Sequence, residues 1–346
     1  MDCRKELSII IPVYKTEKYL SKCLDSVLKA IDNRMEVLII NDGSPDHSEE
    51  IILRYIEENP NVFQYYKKQN GGLSDVKNYG LTKAKGDFVI FLDSDDYIEP
   101  GIYRDMLSKA HQENSDVVVC DIFMDYEDGT PQKRVFCSSG ESSSLYCQIL
   151  DTWVMPASWN KLIRRNLYDG LEFPVGMNNE DVCVTPVILS RARKITIIRT
   201  PYYHYFQRNG SIQNGRFNES RFVILDAVKL ALERMGTESA YNQQLLKDTL
   251  FYHQILAIAM YPIREIDNIY ERERLLSAFM ERVFELFPDF MESQSFLRLT
   301  KNRNPFMKFY GKISLKLLNE KKYHEVSRFW EIYNWCFKLL KRVGLH

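Results

Sequence analysis

The sequence predicts an α/β protein with a mostly parallel sheet and flanking helices, followed by an all-helical C-terminal region. Three observations carry this. Over the first hundred residues or so, short apolar runs alternate with stretches whose apolar residues recur at helical spacing. Three of those runs end in turn-forming or acidic clusters. After about residue 215 strand-like runs vanish and helical spacing continues to the end.

Leu7-Ser8-Ile9-Ile10-Ile11-Pro12-Val13 is a nearly continuous apolar run, as expected of a strand buried on both faces. Tyr19, Leu20, Cys23, Leu24, Val27, Leu28 and Ile31 then mark one face of a helix. Met35 to Ile40 is a second buried strand, and Ile51, Ile52, Tyr55 and Ile56 mark a second helix. Val62 to Tyr66 reads as a short strand, Ser74 to Ala84 as a helix ended by Gly86, and Asp87 to Leu92 as a fourth strand. Asp116 to Asp121 is a further strand, and the polar stretch from Phe123 to Ser144 a hairpin or loop. Trp159-Asn160-Lys161-Leu162 leads into a short helix. Asn178-Asn179-Glu180-Asp181 starts another, with Asn as its cap and Pro186 near its beginning. Lys194 to Arg199 is the last strand. Phe222, Val223, Leu225 and Val228 open the helical region, which includes a strongly apolar helix from Leu250 to Met260. A boundary near Gly215 gives two domains, 1–215 and 216–346.

The apolar fraction of 45% and charged fraction of 27% are those of a globular chain with a core. A net charge of −1 gives no bulk attraction to nucleic acid, which is not an expected partner. The seven cysteines are scattered and form no C-x-x-C pair, so reduced thiols in the cytoplasm are expected. No signal-peptide pattern precedes the first strand. The longest apolar stretches, such as Ile255 to Met260, are far short of a membrane span. The expected protein is cytoplasmic, either soluble or peripheral on the inner face of the membrane.

Ligands of such sheets sit at the carboxyl ends of the strands. Those ends carry Pro12-Val13-Tyr14, Asn41-Asp42-Gly43-Ser44 and Asp93-Ser94-Asp95-Asp96. Clustered carboxylates repel one another unless a cation or ligand offsets them. Asp93 and Asp95 are hard oxygen donors on a short turn, suited to Mg2+ or Mn2+. The alternative is a solvated acidic turn preceding a helix. Asp42 either meets a base or ribose or is a turn aspartate before glycine. Gly71-Gly72 precedes a helix start, where backbone approaches an anion closely. Neither G-K-[ST] nor G-x-G-x-x-G is present in the expected context, which weighs against ATPases and nicotinamide enzymes.

Ser8 to Tyr14, Ile40 to Asp46, Asn70 to Ser74, Asn78-Tyr79-Gly80, Phe91 to Asp96 and Glu180-Asp181 occur in that order over the first 210 or so residues. This ordered set resembles glycosyltransferase family 2, with its GT-A fold. One departure is Lys77, where the family often has Arg; Lys keeps the charge but loses the bidentate fork. The resemblance implies an inverting, metal-dependent transfer from a UDP-sugar donor to a saccharide or polyprenyl-linked saccharide acceptor. Pro12, Val13 and Tyr14 would line the base pocket. Asp42 would hold the uracil or ribose, and Gly72, Lys77 and Ser94 would lie against the donor. Asp93 would contact the ribose or donor sugar and, with Asp95, hold the metal. Arg208 would reach the diphosphate from a closing loop, and Asp181 would be the catalytic base. His204 is a candidate third metal ligand or a packed histidine between tyrosines. Trp159 and Lys161 match the family's W-x-K-L stretch, as donor or acceptor contacts or as core.

The segment Lys301 to His346 mixes cationic and aromatic residues: Arg303, Phe306, Lys308, Phe309, Tyr310, Lys312, Lys316, Lys321, Lys322, Tyr323, Phe329, Trp330, Trp335, Phe337, Lys338, Lys341 and Arg342. A basic amphipathic surface for an anionic membrane and a bundle that packs or forms oligomers are both open. Two other functions compete. A nucleotidyltransferase would normally need an early basic loop for the triphosphate. A catalytically silent sugar-nucleotide-binding protein is disfavoured by Asp93, Asp95 and Asp181.

Overall fold

The structure, a computed structural model, describes residues 5–137, 154, 156–208, 219–235, 244, 247–251, 253–255, 261–292 and 305–342, with only the backbone for 261, 305–311 and 333–342. The Ser138 to Ser144 run, Asn209-Gly210-Ser211 and most of Ile255 to Met260 lie outside these residues. The chain divides into two compact units, Met1–Gly215 and Arg216–His346.

The first unit begins with strands β1 (Leu7–Val13), β2 (Met35–Asn41), β3 (Phe63–Lys67) and β4 (Phe88–Phe91). Helices α1 (Leu20–Ala30), α2 (Ser48–Glu58) and α3 (Leu73–Lys83) connect them. Every residue of β1 and β2 is buried, which is why their sequences are apolar without alternation. The charged exception is Glu36; its buried carboxylate accepts from Ser8 Oγ at 2.6 Å, Lys85 N at 2.6 Å and Gln64 Nε2 at 3.0 Å. There follow β5 (Tyr97–Ile98), α4 (Ile102–Glu113), β6 (Val117–Tyr126), β7 (Lys133–Val135), β8 (Lys161–Arg164), α5 (Glu180–Arg191) and β9 (Ile195–Gln207). The sheet runs β3-β2-β1-β4-β8-β6-β9-β5, with β7 beside β6.

The parallel arrangement that the alternation predicts occupies β3-β2-β1-β4. Beyond β4 the sheet is mixed: β8 is antiparallel to β4 and β6, β5 to β9, and only β6 and β9 run parallel. The segment entering at Trp159 forms strand β8 before a 3-10 turn at Arg165–Tyr168. Its buried run is too short for periodicity to separate from a helix start. Strand β6 extends to Tyr126 and pairs with β7, so the hairpin falls inside the polar segment. Strand β9 is a single strand across Pro201; the register shift opposite Cys120 and Asp121 absorbs the proline. Helix α5 starts after Asn179, which is left-handed (φ 62°) and makes no side-chain cap. Starting there, Pro186 lies mid-helix rather than near its beginning, and withholds one helical N–H.

The second unit contains α6 (Val223–Arg234), α7 (Tyr261–Arg264), α8 (Ile269–Leu286), α9 (Pro305–Asn319) and α10 (Tyr323–Arg342). Its core includes Phe279, Met280, Leu318, Val326 and Trp330, with Trp330 Nε1 donating to Ser314 Oγ at 3.0 Å. Asn268 caps α8 by accepting from the Glu271 amide at 3.0 Å. Buried Arg272 donates to the carbonyls of Ile266 and Ser327, both at 2.8 Å. In the tail, Lys312, Lys316, Lys321 and Lys322 are exposed while Trp330 faces inward. Arg303 and the side chains of Phe306, Lys308, Phe309, Tyr310, Trp335, Phe337, Lys338, Lys341 and Arg342 lie outside the described residues. Among the described residues no helix is long and apolar enough to cross a membrane.

Candidate active site

Parallel pairing sets β1, β2 and β4 with their carboxyl ends on one edge. The register pairs Val13 with Asn41 and Ile10 with Phe91, so the three terminal clusters are neighbours. Pro12 and Val13 are buried, and Tyr14 emerges beyond them, 41% exposed. Lys15 follows with a left-handed backbone (φ 54°), its amide donating to Ser44 Oγ at 2.7 Å and its ammonium over the Tyr14 ring at 5.1 Å.

Asp42 is buried, and its carboxylate is well occupied. It accepts the Gly71 amide at 2.9 Å, the Gly72 amide at 2.8 Å and Lys68 Nζ at 2.7 Å. It therefore shapes the glycine turn that opens α3. Gly72 needs its freedom there (φ 84°), and a Cβ on Gly71 would collide with the Asp75 carboxylate, itself paired with Lys68. Helix α3 is drawn tightly onto the sheet at Gly80, where a Cβ would lie 2.6 Å from Ile10. Asn78 locks it to Phe173 through a reciprocal pair of 2.8 Å bonds.

One turn before Gly80, α3 carries Lys77, 1% exposed. Its ammonium meets Asp181 Oδ1 at 2.6 Å, Glu180 Oε1 at 2.8 Å and Ser158 Oγ at 3.2 Å. The two carboxylates open α5, so Lys77 joins two helices distant in sequence. Burial works against the Lys77 charge, but Asp181, Glu180 and Asp93 together hold it well above its ordinary range. Asp181 is also bonded by Ser158 through its hydroxyl at 3.0 Å and its amide at 3.2 Å.

The acidic turn after β4 divides its labour. Asp96 is buried and structural: Tyr203 Oη donates to it at 2.6 Å and the Phe206 amide at 2.7 Å. Ser94 is buried against the Thr16 hydroxyl at 3.0 Å. Asp93 and Asp95 are the two carboxylates of the turn that stay partly exposed. Burial pushes Asp93 up to about 7; Lys77 opposes this, and the charges of Asp95, Asp181 and Glu180 add to it. Burial also raises Asp95, against the pull of Arg208, whose Nε lies 3.0 Å from its carboxylate. The Arg208 guanidinium also stands 5.7 Å from the centre of the Tyr19 ring.

These carboxylates suit a hard divalent cation. They are crowded and desolvated, and Mg2+ or Mn2+ commonly uses one or two carboxylates with phosphate and water completing the shell. His204 does not fit that set. Its Nδ1 meets Asp125 at 2.8 Å and its Nε2 meets Glu99 at 3.0 Å, with the ring stacked on Tyr97 at 4.2 Å. Both nitrogens are committed, so its expected place as a third ligand gives way to a packed, carboxylate-bound histidine. Among the described residues no group of three or more His, Cys, Asp and Glu side chains is arranged to hold a metal.

Trp159 is 7% exposed, stacked on Tyr203 at 4.5 Å and Tyr205 at 5.1 Å, which makes it core. Lys161 is buried beneath the same turn, and burial pushes its ammonium down to about 8. Sequence reasoning missed Lys68, Ser158, Asp96 and Tyr203. Each acts through a partner 23 or more positions away, and no local pattern marks such a partner.

The profile of the family described as "Glycosyl transferase family 2" matches residues 8–174. The putative glycosyltransferase EpsH of Bacillus subtilis (strain 168) is 33% identical over 251 residues, covering 69% of this chain and 72% of EpsH. The glycosyltransferase GlyA of Streptococcus pneumoniae serotype 4 is 27% identical over 266 residues, 74% of this chain but only 38% of GlyA. The chain thus spans well under half of GlyA's length. The crystal structure of Staphylococcus aureus TarS 1–349 in complex with UDP-GlcNAc superposes with a TM-score of 0.70 at 21% identity, covering 95% of this chain and 92% of that one. That likeness establishes the GT-A fold.

Proposed function

The chain belongs to glycosyl transferase family 2, and from that premise we propose that it transfers a sugar from a UDP-sugar to a saccharide or lipid-linked saccharide acceptor in cell-surface polysaccharide synthesis. One observation carries the reading. Asp93 beyond the end of β4 and Asp181 at the start of α5 both act on Lys77, and Asp95 lies close enough to Asp93 to raise it. A sugar donor and an acceptor hydroxyl need such an arrangement: a place for the diphosphate and, beside it, a base.

In this reading Pro12, Val13 and Tyr14 line the uracil pocket, with the exposed Tyr14 ring as its wall. Asp42 retains accepting capacity on Oδ2 for the base or ribose while holding Gly71 and Gly72 in place. Gly72 brings backbone close to the donor, and buried Ser94 supports the turn beneath it. Lys77, rather than gripping phosphate, steadies Asp181. Arg208 leaves Asp95 for the diphosphate when the donor arrives. Asp93 and Asp95 are the residues that would hold Mn2+ or Mg2+, whose contribution is positive charge beside the leaving diphosphate.

Asp181 accepts the proton of the acceptor hydroxyl. That oxygen forms a bond to the anomeric carbon from the face opposite UDP, and the bond from the anomeric carbon to the diphosphate oxygen breaks. UDP departs with the bonding electrons, so an α-linked donor gives a β linkage. Support for a UDP donor comes from TarS, captured with UDP-GlcNAc and named a poly(ribitol-phosphate) beta-N-acetylglucosaminyltransferase. GgaB of B. subtilis, 28% identical over 226 residues, is named a minor teichoic acid biosynthesis protein, which supports a surface-polymer setting. To the helical unit, 216–346, we assign contact with the acceptor, a membrane surface or a second copy.

The test is UDP release from a panel of nucleotide sugars with Mn2+, with and without chelator. Asp181→Asn should keep donor binding and lose release. Full release in that variant removes Asp181 as base; no binding of any nucleotide sugar removes the whole reading.

A further inference from the structure

Two buried groups just ahead of β8 and at its start, Ser158 and Lys161, have no task in the transfer scheme. Lys161 is 1% exposed, yet its three N–H donors meet three oxygens. These are the Val154 carbonyl at 3.1 Å, the Ala157 carbonyl at 2.7 Å and Asn160 Oδ1 at 2.8 Å. An interior ammonium is costly without such partners. All three belong to the stretch immediately upstream. That stretch also carries Ser158, itself 1% exposed, which grips both oxygens of Asp181: amide to Oδ2 at 3.2 Å, hydroxyl to Oδ1 at 3.0 Å. Asn160 ties the far side of the turn to β6 by donating to the Cys120 carbonyl at 2.9 Å.

We propose that Lys161 and Ser158 form one positioning device for Asp181: the ammonium gathers the turn, the gathered turn aims the amide and hydroxyl of Ser158, and these two donors fix the rotation of the Asp181 carboxylate. The proposal rests on Asp181 being the base. Neither residue touches the reacting atoms. Their effect is on turnover, because a base rotated out of line with the acceptor hydroxyl transfers no proton, while donor affinity, set at the strand ends, stays as it is.

The test compares Lys161→Met, Ser158→Ala, the double variant and Asp181→Asn. UDP release is followed from UDP-GlcNAc, UDP-glucose and UDP-galactose with water as acceptor, alongside thermal melting. Lys161→Met and Ser158→Ala should each lower kcat by roughly 10- to 100-fold with the donor KM unchanged, the scale of a small misplacement at a reacting centre. The double variant should be no worse than Lys161→Met alone, since the two residues act in series. Amide exchange at Ser158, read by NMR, should quicken in Lys161→Met and in Asp181→Asn. This readout decides the matter if release into water is too slow to follow, and Ser158→Ala decides it if Lys161→Met does not fold. Wild-type kcat in Ser158→Ala or in a folded Lys161→Met overturns the proposal, as do losses that multiply in the double variant or unchanged Ser158 exchange. If Asp181→Asn still releases UDP at the wild-type rate, the base assignment itself falls. If Asp181→Asn is inactive while the other variants are unimpaired, only the positioning device falls.

Discussion

Asp93 shows how function works against stability at the scale of one residue. Its carboxyl titrates near 7 in the folded chain against 3.8 ordinarily. Between those values the folded state keeps a proton that the unfolded state has lost. Stability therefore falls as pH rises through that window, and the penalty is complete above about 7. Asp93→Asn should stabilise the fold at pH 8 by on the order of 1 kcal/mol for this partly buried group, read as a higher melting temperature, with the gain gone by about pH 4. A lower melting temperature at pH 8 would contradict the crowding argument. Added Mn2+ should stabilise the wild type more than Asp93→Asn, by linkage. Lys77 is the opposite case, a buried cation with two carboxylates depending on it. Lys77→Met should cost roughly 3 kcal/mol in chemical denaturation, because Glu180 and Asp181 are left uncompensated. A loss below 1 kcal/mol would mean that solvent already screens them.

At the scale of elements, α3 is the piece on which the site is mounted. Its glycine turn is held by Asp42, Gly80 seats it on β1 and β2, and Lys77 reaches α5 from it. Gly80→Ala should cost about 1–3 kcal/mol through overpacking, even though alanine favours helix. It should also weaken UDP-sugar binding, measured by calorimetry, since the turn at Gly72 moves with the helix. Unchanged affinity would show that the turn is anchored by Asp42 alone. Elements whose own periodicity settles them were legible: β1, β2, α1 and α3 stand within one or two residues of their predicted limits. Strand β8 was not, because a short buried run between β4 and β6 becomes a strand through its neighbours' hydrogen bonds. The start of α5 was legible, whereas Pro186 sits at its seventh residue, past the first turn that tolerates proline.

At the scale of the whole molecule, every candidate site residue lies within Met1–Gly215, and the helical unit has its own core. Trp330→Ala should destabilise the helical unit by about 3–5 kcal/mol, seen in calorimetry, by opening a cavity and losing the bond to Ser314. Donor affinity should not change; a large loss would show that the helical unit supports the donor site. By itself the sequence determined the fold class and the strand ends at which its turn-forming and acidic clusters lie. These follow from apolar periodicity and from residue types clustered within a few positions. Only the tertiary structure decided how the clusters are used. It turned His204 away from the acidic turn to Asp125 and Glu99, gave Asp96 to Tyr203, and set Lys77 and Ser158 on Asp181. Those pairings join residues tens of positions apart. They are chosen by which buried charge can find a partner once the sheet has closed, and no window of sequence contains that choice.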